Sequence, residues 1–269
     1  GSTTRAISFS VTTRKCSFTA TTTTPKVCVG GTIELKSTVS TTPSVKAYSW
    51  TGPGFSGAST ADVTISNAIL ANSGVYTVTV TANSICLATA SSTVAIIVNP
   101  NPTAKATGVT VCEGEKITLT GEGNGTYAWT KINPAGAFTS TEATPTVTTS
   151  AVTTDAGVYQ LIVKTGESCT AIATTTVIVN TRPAAPTETN KNKSNICEGE
   201  TLSLSGVCAS GTTIKWYKAD GSELNPSQNF NPGPVGTYVY YAVCKNDGTN
   251  CETFDNLRAK VTVTVDKIP

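Results

Sequence analysis

Nine cysteines, 17 carboxylates and 19 basic side chains are the groups able to do chemistry in this 269-residue chain, which contains no histidine. Without His there is no ordinary general base at neutral pH, no Ser-His-Asp or Cys-His arrangement, and no common zinc ligand. The cysteines form no C-x-x-C pair. They therefore point to disulfides rather than metal, and disulfides point to an oxidising, extracytoplasmic compartment. Two carboxylate pairs stand close together, Glu113-Gly114-Glu115 and Glu198-Gly199-Glu200. Such pairs suit glycoside hydrolysis. These two recur in register with Val29-Gly30-Gly31, however, which carries no acid, and they read as solvated turns at strand entry. No calcium loop, G-x-S-x-G elbow, P-loop or G-x-G-x-x-G is present. Asp220-Gly221 and Asp247-Gly248 read as hairpin turns, and Gly121 to Gly125 as a flexible one. No enzyme activity and no cofactor are expected.

The elements that must position these groups are strands. Tyr76-Thr77-Val78-Thr79-Val80-Thr81 and Lys260-Val261-Thr262-Val263-Thr264-Val265 alternate apolar and polar side chains, the period of a half-buried strand. The 52 Thr suit a pleated surface. The net charge of +2 is spread without clusters, which argues against a nucleic-acid partner. No 18-residue apolar run exists, so no membrane insertion is expected. The lack of Met is what a mature or excised piece would show.

Repetition organises the chain. Val27-Cys28-Val29-Gly30-Gly31, Val111-Cys112-Glu113-Gly114-Glu115 and Ile196-Cys197-Glu198-Gly199-Glu200 recur at spacings of 84 and 85 residues. Each is followed by a Trp in an aromatic-rich segment (Trp50, Trp129, Trp216) and then by a Gly-x-Tyr step ending at Tyr76, Tyr159 or Tyr238. A late Cys comes next, at Cys86, Cys169 and Cys251, and a Val/Thr strand closes the unit. The joints Asn99-Pro100-Asn101-Pro102 and Arg182-Pro183-Ala184-Ala185-Pro186 are short and stiff, the composition of semi-rigid spacers in an extended array.

The Cys-Glu-Gly-Glu opening, the Trp, the Asp155-Ala156-Gly157-Val158-Tyr159 step and the late Cys resemble the immunoglobulin-like repeats of Bacteroidota secreted surface adhesins. That group includes gliding-motility adhesins and type IX secretion cargo. The resemblance covers residues from about 25 to 269 in three copies. It implies an all-β chain of three tandem Ig-like β-sandwich domains with disulfides, over 25–100, 101–183 and 184–269. It also implies that Trp50, Trp129 and Trp216 are core anchors and that Tyr76, Tyr159 and Tyr238 are corner tyrosines. The alternative, that these aromatics form a carbohydrate-stacking face, fits a fixed repeat position less well. No sorting domain of such cargo is recognisable after Val265, which fits a fragment or another export route. Isopeptide crosslinks of the kind found in some bacterial adhesin domains have candidate lysines in Lys36 and Lys116, but disulfides already fill that stapling role.

Across an Ig sandwich, Cys208 and Cys244 face one another and are expected to bond. For the others two schemes stand. Equal Cys numbers per repeat favour the intradomain pairs Cys28–Cys86, Cys112–Cys169 and Cys197–Cys251, with Cys16 left over as the intersubunit candidate. A strand of six or so residues spans roughly 20 Å, however, whereas bonded cysteines bring their Cα atoms within about 7 Å. The second scheme therefore crosses the joints with Cys28–Cys169, Cys112–Cys251 and Cys16–Cys86, and leaves Cys197 for a following domain or subunit. Residues 1–24 have no evident counterpart in the later repeats. They are expected to be an N-terminal β extension: the end of a preceding repeat, a strand donated to a neighbouring subunit, or a strand docked on the first domain.

The functional expectation is an extracellular stalk, filament or adhesin segment at the bacterial cell surface. Its role is mechanical, with polymerisation through the N-terminal strand and the odd Cys. Its partners are neighbouring repeats or identical subunits, or a surface glycan or protein. The alternative is a glycan- or protein-binding module with recognition loops on the third domain, where Cys208/Cys244, Trp216-Tyr217 and the Asn225 to Pro234 loop set it apart.

Overall fold

The computed structural model describes residues 18–22, 25–39, 45–82, 89–191, 194–224 and 229–268. Among these the regular structure is β-strand, apart from single 3-10 turns at Leu70–Asn72, Thr153–Asp155 and Asp255–Leu257. Cys16 and Cys86 lie outside the described residues, and so does much of the Asn225 to Pro234 loop.

The first repeat holds β1 (Phe18–Thr22), β2 (Lys26–Cys28), β3 (Ile33–Val39), β4 (Val45–Gly52), β5 (Phe55–Ala58), β6 (Asp62–Ile65), β7 (Gly74–Ala82) and β8 (Thr89–Asn99). The second holds β9 (Ala104–Thr107), β10 (Thr110–Cys112), β11 (Ile117–Thr118), β12 (Thr120–Gly123), β13 (Thr126–Asn133), β14 (Ala135–Ser140), β15 (Thr146–Thr148), β16 (Gly157–Lys164) and β17 (Thr170–Asn180). The third holds β18 (Glu188–Lys191), β19 (Asn195–Cys197), β20 (Leu204–Val207), β21 (Thr212–Lys218), β22 (Glu223–Leu224), β23 (Gly236–Asn246) and β24 (Ala259–Asp266).

Each repeat has a five-stranded sheet of one topology: β2-β8-β7-β4-β5, β10-β17-β16-β13-β14 and β19-β24-β23-β21-β22. In each, the short strand ending at the early Cys runs parallel to the closing strand, while β7 pairs antiparallel with β8 and β23 with β24. Facing strands form a second layer: β1-β3-β6 in the first repeat, β11-β15 and β12-β9 in the second, β18-β20 in the third. The chain is thus all-β and built of tandem Ig-like sandwiches, with three disulfides among the described residues. It divides into two compact units, Gly1–Lys105 with Glu122–Ala128 and Leu161–Ala173, and Ala106–Gly121 with Trp129–Gln160 and Thr174–Pro269.

One expectation changes here. β1 pairs antiparallel with β3, Phe18 opposite Val39 and Thr22 opposite Leu35. It is the first strand of the first sandwich, the counterpart of β9 on β12 and β18 on β20. The extension predicted over 1–24 is therefore, in its described part, a strand docked on the first domain, and neither the end of a preceding repeat nor a strand offered to a neighbour. The sheet edge it satisfies lies in its own repeat.

The cores follow the period-two pattern. Ile33, Leu35, Val78, Val80, Ile96 and Val98 are buried in the first repeat, and Leu202, Leu204, Ala242, Val261, Val263 and Val265 in the third. Ile117, Leu119, Leu161, Val163 and Val177 are buried in the second. Trp50, Trp129 and Trp216 are each at most 1% exposed, as are Tyr76 and Tyr159. The closeness of these three Trp to complete burial removes them as a stacking face for sugar.

Candidate functional site

The Gly-x-Tyr step places a corner tyrosine in each repeat. Gly74 and Gly157 adopt φ of 143°, a backbone region where a side chain would be strained. The Tyr two residues on then reaches back four residues to a carbonyl. Tyr76 donates to Asn72 O at 3.0 Å, Tyr159 to Asp155 O at 2.8 Å and Tyr238 to Pro234 O at 2.9 Å. Burial raises the pKa of Tyr76 and Tyr159 above the usual phenol value; Asp155 adds to it at Tyr159, while the Asn72 hydrogen bond opposes it at Tyr76. Tyr238 differs from the buried anchor expected of it. It is half-buried, and the core position is taken by Tyr240, 3% exposed and edge-on to Phe230 at 5.4 Å.

The disulfides carry the organisation of the chain. Cys208–Cys244 closes within the third repeat with Cα atoms 5.7 Å apart. The other two cross joints: Cys28 bonds Cys169 with Cα atoms 5.5 Å apart, and Cys112 bonds Cys251 at 5.7 Å. The intradomain pairs Cys28–Cys86, Cys112–Cys169 and Cys197–Cys251 therefore do not form, and Cys197 is free. The third repeat shows why. Cys197 lies opposite Asp266 at the end of β24, whereas Cys251 precedes that eight-residue strand. At about 3.3 Å per residue the strand alone is roughly 26 Å long, far beyond disulfide reach.

Polar contacts lie beside each crossing bond; at the first joint those of Val29 and Asn101 stay within the first repeat and its linker, and Lys26–Glu167 reaches the second. At the first joint Val29 N–H donates to Asn99 O at 2.9 Å, and Asn101 Nδ2 donates to Val29 O at 3.0 Å. Lys26 meets Glu167 at 2.8 Å, an exposed pair of small energetic weight. At the second joint Arg182 stands where Asn101 stood. Its Nε donates to Glu113 O at 2.6 Å, Nη1 to Glu252 O at 3.0 Å and Nη2 to the Glu115 carboxylate at 3.3 Å. The guanidinium also lies 5.2 Å from the centre of the Phe254 ring, within cation–π range. Buried Thr253 donates to Ala184 O at 3.0 Å and accepts from Cys244 N–H at 3.0 Å, tying the linker to the turn of the third repeat.

The carboxylates of Glu113, Glu115 and Glu200 are committed to this architecture. Glu115 accepts the Cys112 N–H at 2.9 Å, and Glu200 accepts the Cys197 N–H at 2.8 Å. They cap the turn behind the early Cys, a structural use of paired acids. Glu252 accepts the Tyr217 hydroxyl at 2.7 Å. Burial, and then that hydrogen bond, hold the Tyr217 pKa well above the usual phenol range. Lys36 and Lys116 are exposed. Among the described residues no three His, Cys, Asp or Glu side chains are grouped to hold a metal, and no helix is long and apolar enough to cross a membrane.

Arg182, Glu252, Thr253 and Phe254 carry the second joint without standing out in the sequence. Arg182 reads there as one basic residue in a Pro-rich linker, and its partners lie about 70 positions away on either side. The usable signal is positional: Arg182 occupies the place of Asn101, two residues past the closing strand.

The family model for an Ig-like domain, CHU_C associated, matches residues 183–266. Among curated proteins the chain has no match. Among solved structures it is similar to the three N-terminal domains of the highly immunogenic outer capsid protein of bacteriophage RB49, at 18% identity over 95% of this chain and 100% of that chain, TM-score 0.37. It is also similar to titin domains I67–I69 in an E-to-A mutated variant, at 14% identity over 93% and 99%, TM-score 0.40. A third similarity is to murine CEACAM1b, at 16% identity over 61% and 100%, TM-score 0.34. These likenesses are distant and say nothing of a role.

Proposed function

We propose that the chain is a structural segment of an extracellular surface adhesin, of the kind the Bacteroidota repeats represent, whose work is to carry load and set distance. The single observation that carries this reading is that, of the three disulfides among the described residues, two bond one repeat to the next rather than closing a repeat on itself. A binding or catalytic domain gains little from sealing its joints. A spacer gains resistance to being pulled apart, because tension on a joint is borne by a covalent bond and by the polar contacts beside it. Three disulfides are also the composition of a protein that works in an oxidising compartment. Polymerisation by donation of Phe18–Thr22 is set aside, since that strand is already paired at home.

Single-molecule pulling between the chain ends tests the reading. With the bonds intact the length released on unfolding should be a small fraction of that released after reduction. Equal lengths in the two conditions would remove the mechanical role.

A further inference from the structure

The two crossing bonds follow one rule: the Cys ahead of the Gly turn in one repeat bonds the late Cys of the next, 141 and 139 residues on. The third repeat presents the same half of a joint. Cys197 lies opposite Asp266 as Cys112 lies opposite Asn180. Glu198 N–H donates to Asp266 O at 2.9 Å, as Glu113 N–H does to Asn180 O. Gly199 has φ of 88° and Gly114 has 82°. A Cβ on Gly199 would meet open space, as would one on Gly30 at the bonded first joint, while one on Gly114 would stand 2.9 Å from the Phe254 ring of the next repeat. Among the described residues Cys197 is the one cysteine without a bond, and it is partly exposed. In sequence, Ile268-Pro269 stands in the register of Asn101-Pro102 and Arg182-Pro183, the steps that lead into the next repeat. Ile268 is 60% exposed.

We propose that residues 196–200 form a half-joint that receives the late-cysteine turn of a further Ig-like repeat joined through Pro269, and that Cys197 bonds that cysteine. The cysteine is not the whole argument: the equivalent residues are seen docked and bonded twice in this same chain. The proposal rests on the array reading above and names its next member. Bond formation is an oxidation of two thiols that needs a disulfide oxidant such as oxidised glutathione. The Cys197 thiolate attacks it and expels one glutathione thiol. The incoming cysteine then displaces the second, so that two protons and two electrons end on two glutathione molecules.

The test extends the full chain by a copy of its own residues 184–269, which sets a late cysteine about 140 residues beyond Cys197. After oxidation in a glutathione buffer, peptide mapping should join Cys197 to that added cysteine. Alkylation of Cys197 by iodoacetamide should fall at least ~10-fold relative to the unextended chain. The added counterpart of Cys208–Cys244 reports whether the new repeat has folded. A folded extension in which Cys197 stays alkylatable, or bonds the Cys197 of another copy, overturns the proposal. So does a Cys197 that resists iodoacetamide in the native, unextended chain, since a half-joint must be open. If Cys28–Cys169 or Cys112–Cys251 is missing from the same map, it is the array reading that falls instead.

Discussion

At the scale of single residues, two aromatic types set the stability of each sandwich. Trp129 is buried and donates its indole N–H to Glu142 O at 3.1 Å. Its truncation to Ala leaves both a cavity and an unpaired carbonyl, and should cost about 3–5 kcal/mol by urea denaturation. Tyr159→Phe keeps the ring and removes only the corner hydrogen bond, so a cost near 1 kcal/mol is expected in the same assay. Tyr240 makes a pH prediction. Burial, with Tyr238 adding to it, pushes its phenol up to about 12 from an ordinary value of 10.0. A raised folded pKa favours the fold below the unfolded value and loses that contribution as pH climbs through the folded one. The third repeat should therefore lose stability between about pH 10 and 12. Phenolate absorbance near 295 nm and circular dichroism should then change together. Tyr240 is one of eight tyrosines, so its signal is the difference between the chain and its Tyr240→Phe variant; a Tyr240 phenolate at pH 10 without loss of structure would contradict the burial.

At the scale of elements, the joints are the part to perturb. Arg182→Ala removes three charge-assisted hydrogen bonds and the contact with Phe254. It should destabilise the second joint by about 2 kcal/mol, read as faster amide exchange at Thr253 and at Cys244 near the end of β23. Arg182→Lys keeps the charge but not the fork and should recover less than half of that. These elements also mark how far the sequence could be read. Trp50, Trp129, Trp216 and the Gly-x-Tyr steps were legible because each place in the sandwich tolerates one residue type. β1, β9 and β18 were not: they are short, and Ala104–Thr107 or Glu188–Lys191 has too little pattern to announce a strand. The likeness of Phe18–Thr22 to them was hidden accordingly. Cysteine pairing was legible in its chemistry and ambiguous in its partners. Equal counts per repeat suggest self-contained units, yet a pairing shifted by one repeat produces the same counts. Strand length decides between them.

At the scale of the whole molecule, the bonds overlap. The loop from Cys28 to Cys169 and the loop from Cys112 to Cys251 share residues 112–169. In the chain-entropy model each closes enough chain to be worth about 5 kcal/mol alone, and shared loops make the two less than additive. For a chain pulled from both ends, the shortest covalent route from Cys28 to Cys251 runs to Cys169, back along 57 residues to Cys112, and out through Cys251. At about 3.4 Å per residue that route is limited to roughly 19 nm, against about 75 nm for the reduced chain over the same span. Pulling curves with and without reductant should differ in full extension by about 56 nm, and the Cys112→Ser variant should release an intermediate length.

The one-repeat offset also fixes a timetable. As the chain is made from its N-terminus, the late cysteine of a repeat is synthesised before that of its successor, so every early thiol is offered the wrong partner first. The length of the closing strand withholds that partner once the sandwich has formed, which makes rapid folding of each repeat the safeguard against misoxidation. Maturation then runs one repeat behind synthesis: a repeat folds with its early thiol open and is sealed only when its successor has folded in turn.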